Sequence, residues 1–290
     1  KVTVTVNKAN QTINWDFTTT EMTVDEVLTL NATANAGDVT FALTGDAATL
    51  EGNTLTAVKA GEVTITASQA GNDNYNAAEE VAHTITINKA TPTITAWPTL
   101  NDVVYGATYG EALQLIGGEA SVEGAFSIIN MPADLTQVPA VGEYTYGIVF
   151  TPAMSESYNE VSDSVTLRVT KNLQTIDWDV TTNQEPLKLL IGDTLILSAT
   201  APAGEVTFTI DGDAATLEGN TLTALAAGTV TITATVPENE NYEAASVSYT
   251  VTVIKHTPEI VTLPTVAPLG HGTALADTML NGGESNIEGT

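Results

Sequence analysis

The sequence predicts an all-β chain of tandem antiparallel β-sandwiches set end to end as a rod. Three observations carry that expectation. The run Gly45-Asp46-Ala47-Ala48-Thr49-Leu50-Glu51-Gly52-Asn53-Thr54-Leu55-Thr56-Ala57 returns unchanged at Gly212 to Ala224, 167 positions later, so the chain is an array to be read one repeat at a time. Apolar residues alternate with threonine at period 2, the pattern of half-buried antiparallel strands. Turn signals recur about every 8–12 residues and no helical periodicity interrupts them, which favours a sandwich.

The repeat extends beyond the identical run. Gln11-Thr12-Ile13-Asn14-Trp15-Asp16 matches Gln174-Thr175-Ile176-Asp177-Trp178-Asp179, and Asn72-Asp73-Asn74-Tyr75 matches Asn239-Glu240-Asn241-Tyr242. The offset changes from 163 to 167 between residues 17 and 36, so one copy carries a four-residue insertion. A second module type lies between the copies. It opens at Thr91-Pro92, passes through Gly117-Gly118-Glu119, and its opening returns as Thr257-Pro258 and Gly282-Gly283-Glu284. The chain thus reads as A1 (9–89), B1 (90–171), A2 (172–255) and the start of B2 (256–290). Residues 1–8 align with the end of B1 and are expected to be the last strand of a preceding B module. On this reading the natural polypeptide extends in both directions, and B2 is incomplete as it stands.

Strands are expected at Val27 to Ala34, Val39 to Leu43, Val63 to Ala67 and His83 to Ile87. Others are Tyr144 to Phe150, Val165 to Val169 and Thr229 to Ala234. Threonine suits them because its β-branched side chain is already restricted at χ1 and packs on a pleated surface. Leu50 to Leu55 reads as a hairpin in which Gly52-Asn53 supplies a two-residue turn with positive φ. No helix is expected anywhere.

Composition narrows the function. Thirty-five acidic residues face eight basic ones, a formal charge of −27. Phosphate backbones need basic stripes, so nucleic acid is excluded as a partner, and anionic membrane surfaces are disfavoured for the same reason. No apolar run is long enough to span a bilayer, so no membrane insertion is expected. The absence of cysteine removes disulfides, thiol catalysis and Cys-based metal sites. The acidity reads first as solubility and self-repulsion in a crowded surface polymer, and second as divalent-cation binding.

Motifs give the array a family likeness. The A modules, with Ala60-Gly61-Glu62-Val63-Thr64-Ile65-Thr66-Ala67 followed by Asn74-Tyr75-Asn76-Ala77-Ala78, resemble bacterial Ig-like domains of the group 2 kind. The B modules resemble the related MBG-type repeats through Tyr105-Gly106, Gly142-Glu143-Tyr144-Thr145, Phe150-Thr151-Pro152 and Ser157-Tyr158-Asn159. The resemblance implies Ig-like sandwiches from a long exported protein, secreted or held at a bacterial cell surface. Such domains serve as stalks, spacers and sometimes binding tips.

Trp15 and Trp178 are expected in the core, because their neighbours alternate to the opposite face. Tyr75, Tyr158 and Tyr242 are expected to lie over a sandwich end with the hydroxyl bonded to backbone. Asp177 and Asp179 share a strand face, as a glycosidase pair would, but the first repeat spells Asn14-Trp15-Asp16, so they read as solvent-face acids. Asp211-Gly212-Asp213 is a fragment of a calcium loop without its remaining ligands; Asp211 and Asp213 are the weak calcium candidates, and calcium is the one cofactor considered. His83, His256 and His271 have neither metal-ligand spacing nor a nucleophile. Lys8, Lys89, Lys171 and Lys255 each end a module's last strand, where they either neutralise carboxylates between modules or guard a strand edge. Asp163-Ser164-Val165, Asp193-Thr194-Leu195 and Asp277-Thr278-Met279 resemble the Asp-Ser/Thr-apolar motif of a bacterial periplasmic O-glycosylation system, making Ser164, Thr194 and Thr278 weak modification candidates.

The expected function is a structural spacer with no enzymatic activity and no catalytic or cofactor-binding residue, its partners being the neighbouring modules of the same chain. Junctions such as Asn88-Lys89-Ala90-Thr91-Pro92 contain no Gly/Ser linker, and proline stiffens them. Two alternatives stand beside it. One is a binding module that recognises a carbohydrate or protein at a host or environmental surface through its end loops, the insertion between 181 and 192 being the place to look. The other is a self-assembling filament subunit whose strand completes another copy's sheet.

Overall fold

The computed structural model describes residues 1–178, 187–266, 268, 271 and 280–286, leaving the side chains of 280 and 281 aside. The chain divides into two compact units, Lys1–Thr170 and Lys171–Thr290.

In A1 the strands are β1 (Glu21–Thr23), β2 (Val27–Thr29), β3 (Thr40–Thr44), β4 (Ala48–Glu51), β5 (Thr54–Ala57), β6 (Gly61–Ser68) and β7 (Val81–Asn88). They form a four-stranded sheet ordered β1-β7-β6-β3 and a three-stranded sheet ordered β2-β5-β4. The alternation explains the layering. Val63, Ile65 and Ala67 of β6 and Ile85 and Ile87 of β7 are buried together with Leu55 and Ala57 of β5, while Thr64, Thr66, Thr84 and Thr86 take the other face. Trp15 and its counterpart Trp178 are both buried, as expected. Trp15 stands 5.3 Å from Phe41 and edge-on to His83 at 4.8 Å. In A2 the matching indole packs on Phe208 and Tyr249.

B1 contains β8 (Ile94–Ala96), β9 (Val103–Val104), the helix α1 (Tyr109–Ala112), β10 (Glu119–Ala120), β11 (Gly124–Ile129), β12 (Gly142–Pro152) and β13 (Val161–Thr170). Its main sheet is ordered β11-β12-β13-β9, with β10 and β8 paired separately. The helix corrects the expectation of none. It is a single turn with a complete capping box: Thr108 Oγ1 accepts from the Glu111 amide while Glu111 accepts from the Thr108 amide. It takes the chain position that β2 holds in A1, and it buries Ala112 and Leu113 against Leu167 and Val169.

In unit 2, A2 contains β14 (Asp177–Trp178), β15 (Leu187–Leu190), β16 (Thr194–Ile196), β17 (Ala199–Thr200), β18 (Thr207–Asp211), β19 (Ala215–Glu218), β20 (Thr221–Ala224), β21 (Gly228–Val236) and β22 (Ala245–Ile254). The sheets β15-β22-β21-β18 and β16-β20-β19 repeat those of A1. Beyond them lie β23 (Ile260–Thr262), β24 (Thr265–Val266), β25 (Leu280–Asn281) and β26 (Glu284–Ser285), which pair as β23 with β26 and β24 with β25.

Two sequence expectations need amendment. The sheets are not wholly antiparallel, because β1, β9 and β15 join β7, β13 and β22 in parallel. The strand expected over Val27 to Ala34 is also short: β2 stops at Thr29, and Thr33 retains only an isolated bridge to Asn14. The hairpin turn is as expected, with Glu51 opposite Thr54 and Gly52 at φ 62°. Residues 1–8 belong to no sheet and are exposed, Val2, Val4 and Val6 included.

One polar device recurs in both A copies. Gln11, buried, donates to Gln69 and to the Asn76 carbonyl and accepts from the Ala36 amide. Gln174 likewise donates to the Glu243 carbonyl and accepts from the Ala203 amide. A buried amide side chain is stable only when so satisfied, and here each one ties the start of its module to two later loops.

Candidate functional site

A set of polar contacts between distant segments of unit 1 lies where A1 meets B1. Its A1 side is built from two loops. The turn after β1 is held on both flanks, because the Val24 amide donates to Asn88 and the Asp25 amide donates to Ala57. Glu26 closes it by accepting from the Thr23 amide at 2.8 Å. The loop after β5 is pinned by the Val58 amide, which donates to the Ala47 carbonyl.

The B1 side is the run Glu156-Ser157-Tyr158. The Ser157 and Tyr158 amides donate to Met154, making a tight turn, and Ala90 is clipped to it by bonds to Ser157 and Asn159. Ser157 Oγ, buried, donates to the Val58 carbonyl at 2.9 Å. The Ala60 amide donates to the Glu156 carbonyl at 3.1 Å. The Tyr158 ring, 8 % exposed, packs against the A1 core. Its hydroxyl donates to Asp25 Oδ2 at 2.7 Å. The expected backbone acceptor is therefore replaced by a carboxylate. That bond, followed by burial, raises the Tyr158 pKa.

Lys59 completes the set. It lies 2.6 Å from Asp46 and 4.0 Å from Glu156. The hydrogen bond to Asp46 raises the lysine, and the same bond with its Coulomb attraction lowers the aspartate. In unit 2, Lys171 makes a 2.7 Å pair with Glu238, so one of the four strand-end lysines does neutralise a carboxylate. Lys8, Lys89 and Lys255 are exposed. Nothing in the sequence marks Lys59, because it interrupts no pattern and its counterpart in the second repeat, Ala226, is not a lysine.

The other candidates are dispersed. Asp211 ends β18 and Asp213 lies in the following bend, both exposed; among the described residues, no three His, Cys, Asp or Glu side chains converge as metal ligands would. Asp177 is exposed beside buried Trp178, and Asp179 falls outside the described residues. His83 packs against Trp15 and Phe17, His256 Nε2 donates to the Ile191 carbonyl at 3.0 Å, and His271 is exposed in a turn. Ser164 and Thr194 are exposed on β13 and β16. The aspartate before each already has a local role, Asp163 accepting from the Ser164 amide and Asp193 from the Leu190 amide. Thr278 lies outside the described residues, as does residues 181–186 of the insertion. Clefts are found in A1, B1 and A2. One of about 580 Å³ in A1 is lined by Leu30, Asn31, Asp38, Phe41, Leu50 and Asn53, with no convergent charged pair. Among the described residues, no helix is long and apolar enough to cross a membrane.

Paired sheets with a shared layout in A1 and A2 define the class: this is an all-β protein of tandem β-sandwiches. No protein-family profile matches the chain, and no curated protein does. Some solved structures align with much of the chain at low similarity. Immunoglobulin domains 1–5 of Sidekick-1 are 15 % identical, covering 88 % of this chain and 63 % of that one with a TM-score of 0.24. Domains 1–6 of the surface layer protein SbsC are 13 % identical, covering 88 % and 41 % at 0.28. A SusE-like surface located polysaccharide binding protein from Bacteroides thetaiotaomicron is 16 % identical, covering 84 % and 46 % at 0.22. The chain thus spans under two thirds of each of these three structures, and at such identities and scores the likeness says nothing about activity.

Proposed function

We propose that the chain is a non-catalytic spacer segment of a large bacterial cell-surface protein, built from alternating group 2-like and MBG-type Ig-like modules. Its work is mechanical: it holds a more distal domain away from the cell. The observation that carries this reading is the joint between A1 and B1. β7 ends at Asn88, and Ala90 is already hydrogen-bonded to Ser157 and Asn159, so a single residue separates the two folded bodies. A joint with so little slack transmits orientation, which a flexible Gly/Ser tether does not. Dense negative charge adds repulsion between neighbouring copies, acting over about 10 Å at 0.1 M salt.

Small-angle scattering from the intact chain in dilute buffer tests the spacer. Sandwiches whose strands rise about 3.3 Å per residue, set end to end, give a maximum dimension above roughly 100 Å. A compact particle well below that length, at both low and high salt, refutes it.

A further inference from the structure

One turn occurs three times with positive φ at its second residue, which is glycine in two copies and aspartate in the third. It follows the parallel edge strand of each module, and its second residue is Asp25 (φ 74°), Gly106 (φ 109°) or Gly192 (φ 90°). Left-handed backbone suits glycine and strains a residue with a Cβ. Asp25 is the copy that accepts this strain, and its carboxylate receives the Tyr158 hydroxyl. A second position changes with it. Lys59, which reaches Asp46 and Glu156, corresponds to Ala226: both amides donate to the matching alanine, Ala47 or Ala214. Next to Ala226, Leu225 is 52 % exposed. The two A modules are therefore identical through thirteen residues of hairpin yet differ on the end face that B1 occupies in unit 1.

We infer that Asp25 and Lys59 are joint-specifying residues, with Asp25–Tyr158 acting as a latch that fixes B1 on A1. The surface comprises Asp25, the Val58 carbonyl, Lys59 and the Ala60 amide; the partner it fits is a turn of the form Glu156-Ser157-Tyr158. Each partner atom has its complement: carboxylate for hydroxyl, carbonyl for serine, amide for carbonyl and ammonium for glutamate. The A2 face, with Gly192 and Ala226, offers neither the carboxylate nor the ammonium, so it does not hold such a turn in the same way. This inference is independent of the spacer reading, because a binding protein could use the same joint.

Hydrogen exchange on the full 290-residue chain tests it, comparing wild type with Asp25→Gly, Asp25→Asn, Tyr158→Phe and the Asp25→Gly/Tyr158→Phe double variant. The reporter is the Ala60 amide, which bonds across the joint; Ile65 and Thr66 in β6 report on A1 itself. Loss of a hydrogen bond to a charged group should speed Ala60 exchange by about tenfold or more in Tyr158→Phe and Asp25→Gly, with the double variant no faster than either single. Asp25→Asn keeps an acceptor and tolerates positive φ, so it should retain more protection than Asp25→Gly. Unchanged Ala60 exchange in Tyr158→Phe, multiplicative effects in the double variant, or equal acceleration at Ile65 and Thr66 would each overturn the latch.

Discussion

Tyr158 and Asp25 stand 133 residues apart in sequence and 2.7 Å apart in the fold, the phenol donating to the carboxylate. The bond depends on Tyr158 remaining protonated. The nearby carboxylate and burial raise its pKa above the ordinary value of 10.0. The sign follows: a proton held more tightly in the folded state stabilises the joint fully below the unfolded pKa, and the contribution is lost as pH rises through the raised value. We expect an alkaline loosening of the joint, followed by exchange or tyrosinate absorbance, that disappears in Tyr158→Phe. An unaltered alkaline profile in that variant would exclude Tyr158 as its source.

Leu55 and Leu222 are repeat counterparts, each fully buried in a separate core. Truncation to alanine should cost about 2–5 kcal/mol in the affected module. Repeat modules couple mainly to their neighbours. Leu55→Ala should therefore lower one calorimetric transition and Leu222→Ala another. A single transition that falls identically in both variants would show that the modules do not fold semi-independently.

Two glycines in the A1 hairpin region separate strain from collision. Gly52 sits at φ 62° with open space around its would-be Cβ, so Gly52→Ala should cost about 1–2 kcal/mol from left-handed backbone alone. Gly45 has φ 112°, and a Cβ there would come within 2.8 Å of the Glu62 carbonyl oxygen. Gly45→Ala should be clearly the more damaging in chemical denaturation; equal losses would contradict the packing described for β6.

Calcium is expected to be dispensable. Asp213, one of the two weak ligand candidates, has Asp46 as its counterpart, and Asp46 is engaged by Lys59. A cation at Asp46 would meet that lysine; at Asp213 the matching position is Ala226, and there, among the described residues, no third acidic or histidine ligand joins the two exposed aspartates. Chelation should leave the thermal midpoint unchanged. A fall of many degrees, restored by calcium, would establish a metal site.

What the sequence revealed and what it hid divide by range. The turn at Gly52-Asn53 and the alternation of Val63, Ile65 and Ala67 are local, and both were legible. The capping box Thr108 to Glu111 was equally local but was missed, because a four-residue helix has no periodicity to detect. The parallel placement of β1, β9 and β15 depends on where the chain returns, and no residue in Glu21–Thr23 encodes it alone. The joint was only half visible. Tyr158 stood out by recurrence, whereas its acceptor Asp25 occupies a turn that reads as ordinary in isolation.

Rigidity of the A1–B1 joint can be measured directly, and the absence of cysteine makes site-specific labelling clean. Spin labels at Thr49→Cys on β4 and Ser162→Cys on β13, both exposed strand positions, report the distance across it by pulsed electron resonance in the full chain. A latched joint predicts one narrow distance distribution that broadens when Tyr158→Phe or Asp25→Gly is added. A broad distribution in the otherwise unaltered chain, or a narrow one that neither substitution changes, would contradict it.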